Sequence, residues 1–410
     1  MVGPSADRSH RPSPRAAYAH WMRACADAGW HAWPVAEQVP VQAGLDRVSA
    51  LAVHARRASP RFACAAMDGI AVAWSSLGTG GPLPAAVFWP VDTGDPLPAG
   101  ADTVVERERV TPCADGSVLV TGAVALGRNV RAVGEDFQAG QLLVPGGHRL
   151  RPVDLGAAAA AGFETLAVAR PPVVAIIPTG DEIRPVGSAL GPGEITDSNS
   201  VMLAALVRRG GGRPVVADVQ PDDPDLLAAA VAEAASSADL VLVLAGSSRG
   251  RDDHTATVLA RVGSVVVHGV AVRPGHPVLL GCLTSESAPA VPIPVPAIGV
   301  PGYPLAAAVI FELFVAPLLL ELTGRRVADR TPLTARLGCD WGSPPGVEDW
   351  VPVSLDAGPD RTGSPVAVPS KGRGAGSVSR LVRADAWWPI PIGQGPFARG
   401  DRIEVLPVDA

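Results

Sequence analysis

Lysine is nearly missing from this 410-residue chain: Lys371 is its one example, against abundant arginine. An arginine standing where a mechanism usually takes lysine is therefore weak information by itself. Basic side chains (34) do not outnumber acidic ones (40), and the net charge of -6 argues against an extended nucleic-acid footprint or a polybasic membrane patch. The five cysteines, Cys25, Cys64, Cys113, Cys282 and Cys339, are scattered with no C-x-x-C pair. Neither a zinc knuckle nor a disulfide scaffold is indicated, and a reducing, cytoplasmic compartment is the default expectation. Walker A, H-E-x-x-H and a well-placed G-x-G-x-x-G are all lacking, which sets aside P-loop nucleotide hydrolysis and zinc proteolysis. The opening MVGPSADRSHRPSPR has no apolar h-region and reads as a disordered tail over residues 1–15 rather than a secretory signal. Long apolar runs are limited to LAAAVIFELFVAPLLLELTG from Leu305, which contains Glu312, Pro317 and Glu321. It reads as a buried helix, kinked or ended near Ala316-Pro317, and not as a membrane span.

What is present suits a folded chain of two to four domains, with apolar types at 47% and charged types at 18%, enough to build a sizeable core. AAYAHWMRACADAGW, from Ala16, has helical spacing, and QAGLDRVSALAVHARRA, from Gln42, continues in the same style. Between about Ser59 and Val144 short apolar runs broken by Gly and Pro suggest a β-rich piece. A helical segment resumes near Pro152, where Asp154 suits a first turn. These segments define a helical linker domain over 16–58 and 145–170 with a β-rich domain, 59–144, inserted into it. From 171 to 326 strand and helix patterns alternate: VVAIIPTGDEI, a helix capped by Asp197, Ser198 or Asn199, RPVVADV, a helix opened by Asp223-Pro224, DLVLVLAG, HTATVLARV, SVVVHGVAV, the loop RPGHP, PAIGV and the long helix after PGYP. Strands separated by helices of this length predict a doubly wound parallel sheet, with its ligand site beyond the carboxyl ends of the strands. The last piece, 327–410, has short strand-like runs among Gly, Pro and Trp and reads as a small β domain, barrel or sandwich. The expected fold class is thus multidomain α/β plus β: a doubly wound parallel sheet, a helical domain, a β-rich inserted domain and a C-terminal small β-barrel.

Four strand ends in the α/β segment deliver polar residues: Thr179 through Glu182, Gly246 through Asp253, Arg273 through His276, and Pro301 through Pro304. Gly-rich turns that feed helix N-termini offer N–H groups to an anion, and carboxylates on the same edge suit a hard cation. One such turn alone is more often a βα loop that needs glycine for its geometry, but four converging turns weaken that reading. Asp222-Asp223 reads as a turn and helix cap. Asp181-Glu182 and Asp252-Asp253 have no ion partner beside them in sequence and are candidate ligands. Arg249, Arg251 and Arg273 are the nearby cations, arginine being suited to bidentate grips on oxyanions. Gly246-Ser247-Ser248-Arg249-Gly250 also matches G-x-S-x-G. A hydrolase with Ser248 as nucleophile is disfavoured, because carboxylates so close in the same loop reach poorly behind a histidine.

The ordered series of motifs resembles the molybdopterin molybdenumtransferases of molybdenum-cofactor biosynthesis (MoeA-like, akin to the catalytic end of gephyrin). AMDGIAV at Ala66, DTGDPLPAGADTVV at Asp92, NVRAVGEDFQAG at Asn129, IIPTGDEI at Ile176, GEITDSNSVMLAALV, DLVLVLAGSSRGRDDHT, HGVAVRPGHPVLLG and IGVPGYPLAAAVIFELF stand in that family's order from about Val39 to the C-terminus. The resemblance implies that the α/β domain binds molybdopterin. It implies an elongated homodimer whose cleft lies between the α/β domain of one subunit and the β-rich domain of the other. The implied substrates are adenylated molybdopterin and molybdate, with Mg2+ as cofactor and AMP and molybdenum cofactor as products. The molybdopterin adenylyltransferase and molybdoenzyme apoproteins are implied partners, with no nucleic acid and no membrane. By position, catalytic roles fall on Asp68, Thr93, Asp181, Glu182, Asp253, Arg273 and His276, with Asp181, Glu182 and Asp253 as magnesium ligands. Substrate-binding roles fall on Arg131, Glu135, Asp136, Gly246, Ser247, Ser248, Arg249, Gly250, Pro301, Gly302 and Pro304. Lys371, Arg373 and Arg380 could reach the cleft or lie in a solvated loop. Compared with the common family loops, GGVSVG is here AGSSRG, KPGKP is RPGHP, PGNP is PGYP, and the tyrosine of MDGYA is Ile70. Two usual lysines are thus Arg273 and His276, which opens tungstate as an alternative oxyanion, and a non-catalytic pterin carrier is the rival reading.

Overall fold

The structure is a computed structural model that describes residues 11–32, 34–79, 81–245, 254–285, 293–325, 331–356, 364–370 and 376–408. The chain forms two compact units, one of residues 1–35 with 170–410 and one of residues 36–169.

A six-stranded sheet centres the first unit, in the order Arg213–Val216, Val173–Pro178, Leu240–Ala245, Ile293–Pro301, Leu279–Ser285, Gly263–His268. The first four strands run parallel. The last two join antiparallel, so the parallel sheet expected from the alternation carries an antiparallel edge. Leu279–Ser285 was not anticipated, since no helix separates it from the preceding strand Gly263–His268 and the strand–helix rhythm gives it no place.

All six residues of Val173–Pro178 are buried, because helices cover both faces of the sheet. Val174, Ile176, Leu240 and Leu242 turn to one core, Val173, Ala175, Ile177, Val241 and Val243 to the other, the period of two that a pleated strand imposes. Ser198–Arg209 and the helices from Pro304 pack on the first face, Pro224–Ala235 and Thr255–Val262 on the second. Asp197 caps its helix by accepting from the Ser200 N–H, and Asp223 accepts from Asp225 and Leu226.

The apolar run after Tyr303 does not stop at Ala316-Pro317. Helix Pro304–Ile310 passes through a π-turn, Phe311–Val315, into Ala316–Thr323. The wide turn accommodates the ring and missing N–H of Pro317 without ending the helix. Gly324, in the left-handed region at φ 63°, terminates it. The run is long and apolar enough to cross a bilayer but is mostly buried in the protein, with Glu321 accepting from the Tyr18 hydroxyl at 2.9 Å.

Helix Pro14–Asp27 belongs to this unit, not with residues 36–58. Its stripe Ala17, Trp21 and Cys25 is buried, and Trp21 Nε1 donates to the Gly281 carbonyl at 2.7 Å. Residues 11–15, expected in the tail, are ordered: Ser13 caps the helix and the Pro12 carbonyl accepts from the Ala271 N–H. The C-terminal strands close as a barrel, in the order Glu348–Asp356, Val366–Pro369, Leu333–Leu337, Arg402–Pro407, Ala386–Ile390 and back to Glu348–Asp356.

In the second unit, Ala36–Pro40 pairs with Thr165–Ala169 and Val53–His54 with Leu142–Val144, while residues between them form small sheets. The helix expected from Gln42 does not form. A 3-10 turn, Val41–Ala43, ends at Gly44, and Asp46 takes a left-handed backbone; in so alanine-rich a text, helical spacing discriminates poorly. The helix expected near Pro152 is present as Pro152–Ala160. Strand Gly69–Val72 lies between Phe88–Val91 and Thr103–Glu106. A Cβ at Gly69 would fall 1.9 Å from the Val105 carbonyl oxygen, which strand pairing holds in place. Gly69→Ala should therefore cost about 2 kcal/mol or more; a melting temperature equal to that of the unaltered chain would show that the strands separate at no cost.

Candidate active site

A cavity of about 1080 Å3 opens in the first unit at the carboxyl ends of the parallel strands, lined by Pro178, Thr179, Leu244 and Pro301, with barrel residues on its opposite side. This is the edge at which doubly wound sheets bind ligands. Its floor is held by local bonding: Thr179 Oγ1 donates to the Leu244 carbonyl at 2.9 Å, tying neighbouring strand ends.

Of the two acids after Gly180, only Glu182 lines the cavity. Asp181 exchanges bonds with a neighbouring loop, its N–H donating to Asp222 Oδ2 at 3.3 Å and its Oδ1 accepting from the Asp222 N–H at 3.2 Å. Gly180 has φ 137°, a backbone conformation that requires glycine. The proposed third magnesium ligand, Asp253, lies outside the described residues, as do Gly246, Ser247, Ser248, Arg249, Gly250, Arg251, Asp252, Lys371 and Arg373. Among the described residues no group of three His, Cys, Asp or Glu side chains is placed to hold a metal. Asp181, bonded to the Asp222 loop, and Glu182, on the cavity wall, do not by themselves meet the oxygen-rich coordination that magnesium demands.

Arg273 and His276 both line the cavity, in the loop that includes Gly275 at φ 110°. Arg273 is gripped by a residue the sequence did not single out. Its Nε and Nη2 donate to Oδ1 and Oδ2 of Asp349 at 2.9 and 2.6 Å, and Asp349 is only 2% exposed. The backbones meet as well, Val272–Arg273 pairing with Glu348 and Asp349 of the barrel. Arg380, for which a cleft position and a solvated loop stood equal, lines the same cavity, with Nη2 donating to the Ser370 carbonyl at 3.0 Å. Burial first, and then the neighbouring Arg273 charge, pushes its pKa down from the usual guanidinium value, as happens where like charges converge on a partly desolvated site.

Pro301, Gly302 and Pro304 form the remaining strand-end wall. Asn199 is a lining residue that motif reading had offered only as a possible cap. Because Asp197 takes the capping role, Asn199 Nδ2 is left to donate to the Gly302 carbonyl at 2.7 Å, and its buried Oδ1 has no hydrogen-bond partner among the described residues. The signal was the run Asp197-Ser198-Asn199, in which one residue suffices for the cap.

The other expected site residues fall in the second unit. Asp68 Oδ1 accepts from both the N–H and Oγ1 of Thr93, each at 2.8 Å, and these bonds, the backbone one foremost, hold the Asp68 carboxyl below its ordinary range. Arg131 Nε donates to Glu135 at 3.1 Å, while the Asp136 N–H donates to the Ser59 carbonyl. Arg107 pairs with Asp92 at 3.2 Å beside a smaller cavity of about 320 Å3 that also includes Gly69 and Asp95. Motif neighbours in sequence are thus neighbours in space within this unit.

A mixed α/β sheet with helices on both faces, a cavity at its strand ends that carries both guanidinium and carboxylate groups, and a five-stranded barrel beside it define a multidomain α/β protein. Family models agree with that architecture along nearly the whole chain. Residues 17–162 match the MoeA N-terminal region, 175–321 the probable molybdopterin binding domain, and 334–408 the MoeA C-terminal region. The chain is 30% identical to the molybdopterin molybdenumtransferase of Haemophilus influenzae, over 72% of this chain and 75% of that one. It is 31% identical to that of Synechococcus elongatus, over 78% and 76%. The crystal structure of a molybdopterin biosynthesis MoeA protein from a Pyrococcus species superimposes with a TM-score of 0.81 at 28% identity, covering 97% of this chain and 99% of the other. The chain belongs to the MoeA family.

Proposed function

We propose that this chain inserts molybdenum into adenylated molybdopterin and releases AMP; the name molybdopterin molybdenumtransferase borne by its relatives supports the molybdenum transfer. The observation that carries the reading is the cavity at the strand ends, where Arg273, His276 and Arg380 meet the turn Pro301–Pro304 and the start of helix Ser198–Arg209. A phosphoanhydride-linked pterin nucleotide and a tetrahedral oxyanion are both strongly anionic. A site for them needs cations and N–H groups rather than a nucleophile. As a water oxygen bonds to phosphorus and the bond between the pterin phosphate and AMP breaks, additional charge develops on the departing phosphate, which guanidinium groups stabilise by paired hydrogen bonds. Arg273 and Arg380 act as these donors, and His276 contributes a ring N–H to the same oxyanion. Asp68, Thr93, Arg131, Glu135 and Asp136 belong to the second half of the site, supplied by a partner subunit in a homodimer. Asp253, with Glu182 and Asp181, would hold magnesium, whose charge would offset that of the phosphates.

The full chain given adenylated molybdopterin, molybdate and magnesium should release AMP, measured by chromatography. No AMP from a chain that still binds the nucleotide would reject catalysis and leave a pterin carrier. Release with tungstate but not with molybdate would reassign the metal while keeping the reaction. Omitting magnesium should abolish release, and undiminished turnover in chelator would remove the magnesium assignment.

A further inference from the structure

We infer that Asp349 is the positioning residue for Arg273: a barrel carboxylate that presets the guanidinium for the oxyanion co-substrate. The inference rests on the proposed role of Arg273 and adds a residue outside the motifs that suggested it. Four observations converge. The pair is bidentate, with contacts of 2.9 and 2.6 Å. The two ends differ in solvation, the Asp349 side chain being 3% exposed and that of Arg273 48%, so the acid is the fixed member and the guanidinium the one presented to the cavity. The strand pairing places Arg273 directly beside Asp349, which fixes both backbones. Ser343 Oγ adds a longer bond of 3.4 Å to Asp349 Oδ2.

A free arginine has five N–H donors on a flexible stem. With Nε–H and one Nη2–H committed to Asp349, three donors remain, on a plane whose tilt the carboxylate sets. Orientation of this kind is what turns a charge into a specific oxyanion contact. Lysine could not be oriented in the same way, since an ammonium is a point charge without a fork. Arginine at position 273 and aspartate at 349 therefore work as a pair, and the composition of the chain alone does not account for the arginine.

The test compares Asp349→Asn and Asp349→Glu with the unaltered full chain. KM for molybdate and for tungstate, KM for the adenylated pterin, kcat and melting temperature are measured for each, and the oxyanion Kd is read by calorimetry. Positioning predicts that Asp349→Asn raises the oxyanion KM and Kd by about tenfold or more. The nucleotide KM should stay within about twofold and kcat should recover at saturating oxyanion, with Asp349→Glu regaining part of the loss. Unchanged oxyanion affinity overturns the inference. Tighter affinity also overturns it, because Asp349 would then be a competing counter-ion. A parallel fall in stability and in both KM values, unrelieved by glutamate, assigns Asp349 to folding alone and overturns it too. If the unaltered chain binds oxyanion without releasing AMP, the catalytic reading fails while the Kd comparison still decides the role of Asp349. If it binds no oxyanion, both fall together.

Discussion

Arg273→Ala should destabilise the chain by about 3 kcal/mol as well as abolish oxyanion-dependent turnover, and adding Asp349→Asn should restore most of the stability but none of the turnover. The asymmetry follows from burial. Removing the arginine leaves the Asp349 carboxylate, 2% exposed, without its hydrogen-bonded counter-charge and with only the charge of Arg380 nearby, and a poorly compensated buried ion costs more than the lost contact. Neutralising the acid removes that penalty. The converse single change, Asp349→Asn, leaves a half-exposed guanidinium that water can solvate, so its cost is smaller. Chemical denaturation of the two single variants and the double variant forms a complete cycle. Additive costs would mean that Asp349 and Arg273 do not depend on one another, and the pair would then lose its claim to structure the cavity.

The second large effect is expected at Asp154, in the second unit. Its carboxylate accepts from His148 Nε2 at 2.9 Å, from Arg151 Nε and Nη2 at 3.0 and 2.9 Å, and from the Arg151 N–H at 2.8 Å. The Arg151 guanidinium above all holds the Asp154 carboxyl well below the usual carboxylate range, against the opposing effect of burial. A carboxyl whose folded pKa is depressed contributes stability that is complete above the unfolded value, near 4. That contribution declines as pH falls further, because the unfolded chain takes up the proton first. Asp154→Ala should cost about 1–2 kcal/mol at neutral pH, the worth of the capping and charge-assisted bonds lost, because Arg151 is left open to solvent. The same change should flatten the loss of stability between pH 4 and lower values. An unchanged acid limb in thermal melts followed from neutral pH downward would show that other carboxyls govern acid unfolding.

Much of the architecture was legible because it rests on local chemistry. Val173–Pro178 and Leu240–Ala245 are continuous apolar runs that only a sheet covered on both faces can bury. Asp223-Pro224 reads as a helix start because the acid caps and proline tolerates the first turn. Site residues in one motif stay together for the same reason: Glu182 follows its strand, Arg273 and His276 share a loop, and Asp68 reaches Thr93 across paired strands. Asn199 was hidden because three adjacent residues can all cap a helix and only the backbone chooses among them. Leu279–Ser285 was hidden because a strand that follows another with no helix between them breaks the alternation from which the others were read.

From residues alone come the order of elements, the covered sheet, the loops that carry cations and the family to which the motifs point, since each depends on short-range periodicity, capping and turn geometry. Which surfaces meet is a different matter. That helix Pro14–Asp27 buries Trp21 against the sheet, that Asp181 turns to Asp222 while Glu182 turns to the cavity, and that Asp349 grips Arg273 from 76 residues away are outcomes of long-range packing. Many apolar stripes and many acids were equally available in the text of the chain, and the free energy of choosing among them appears only when the whole unit has closed around its core.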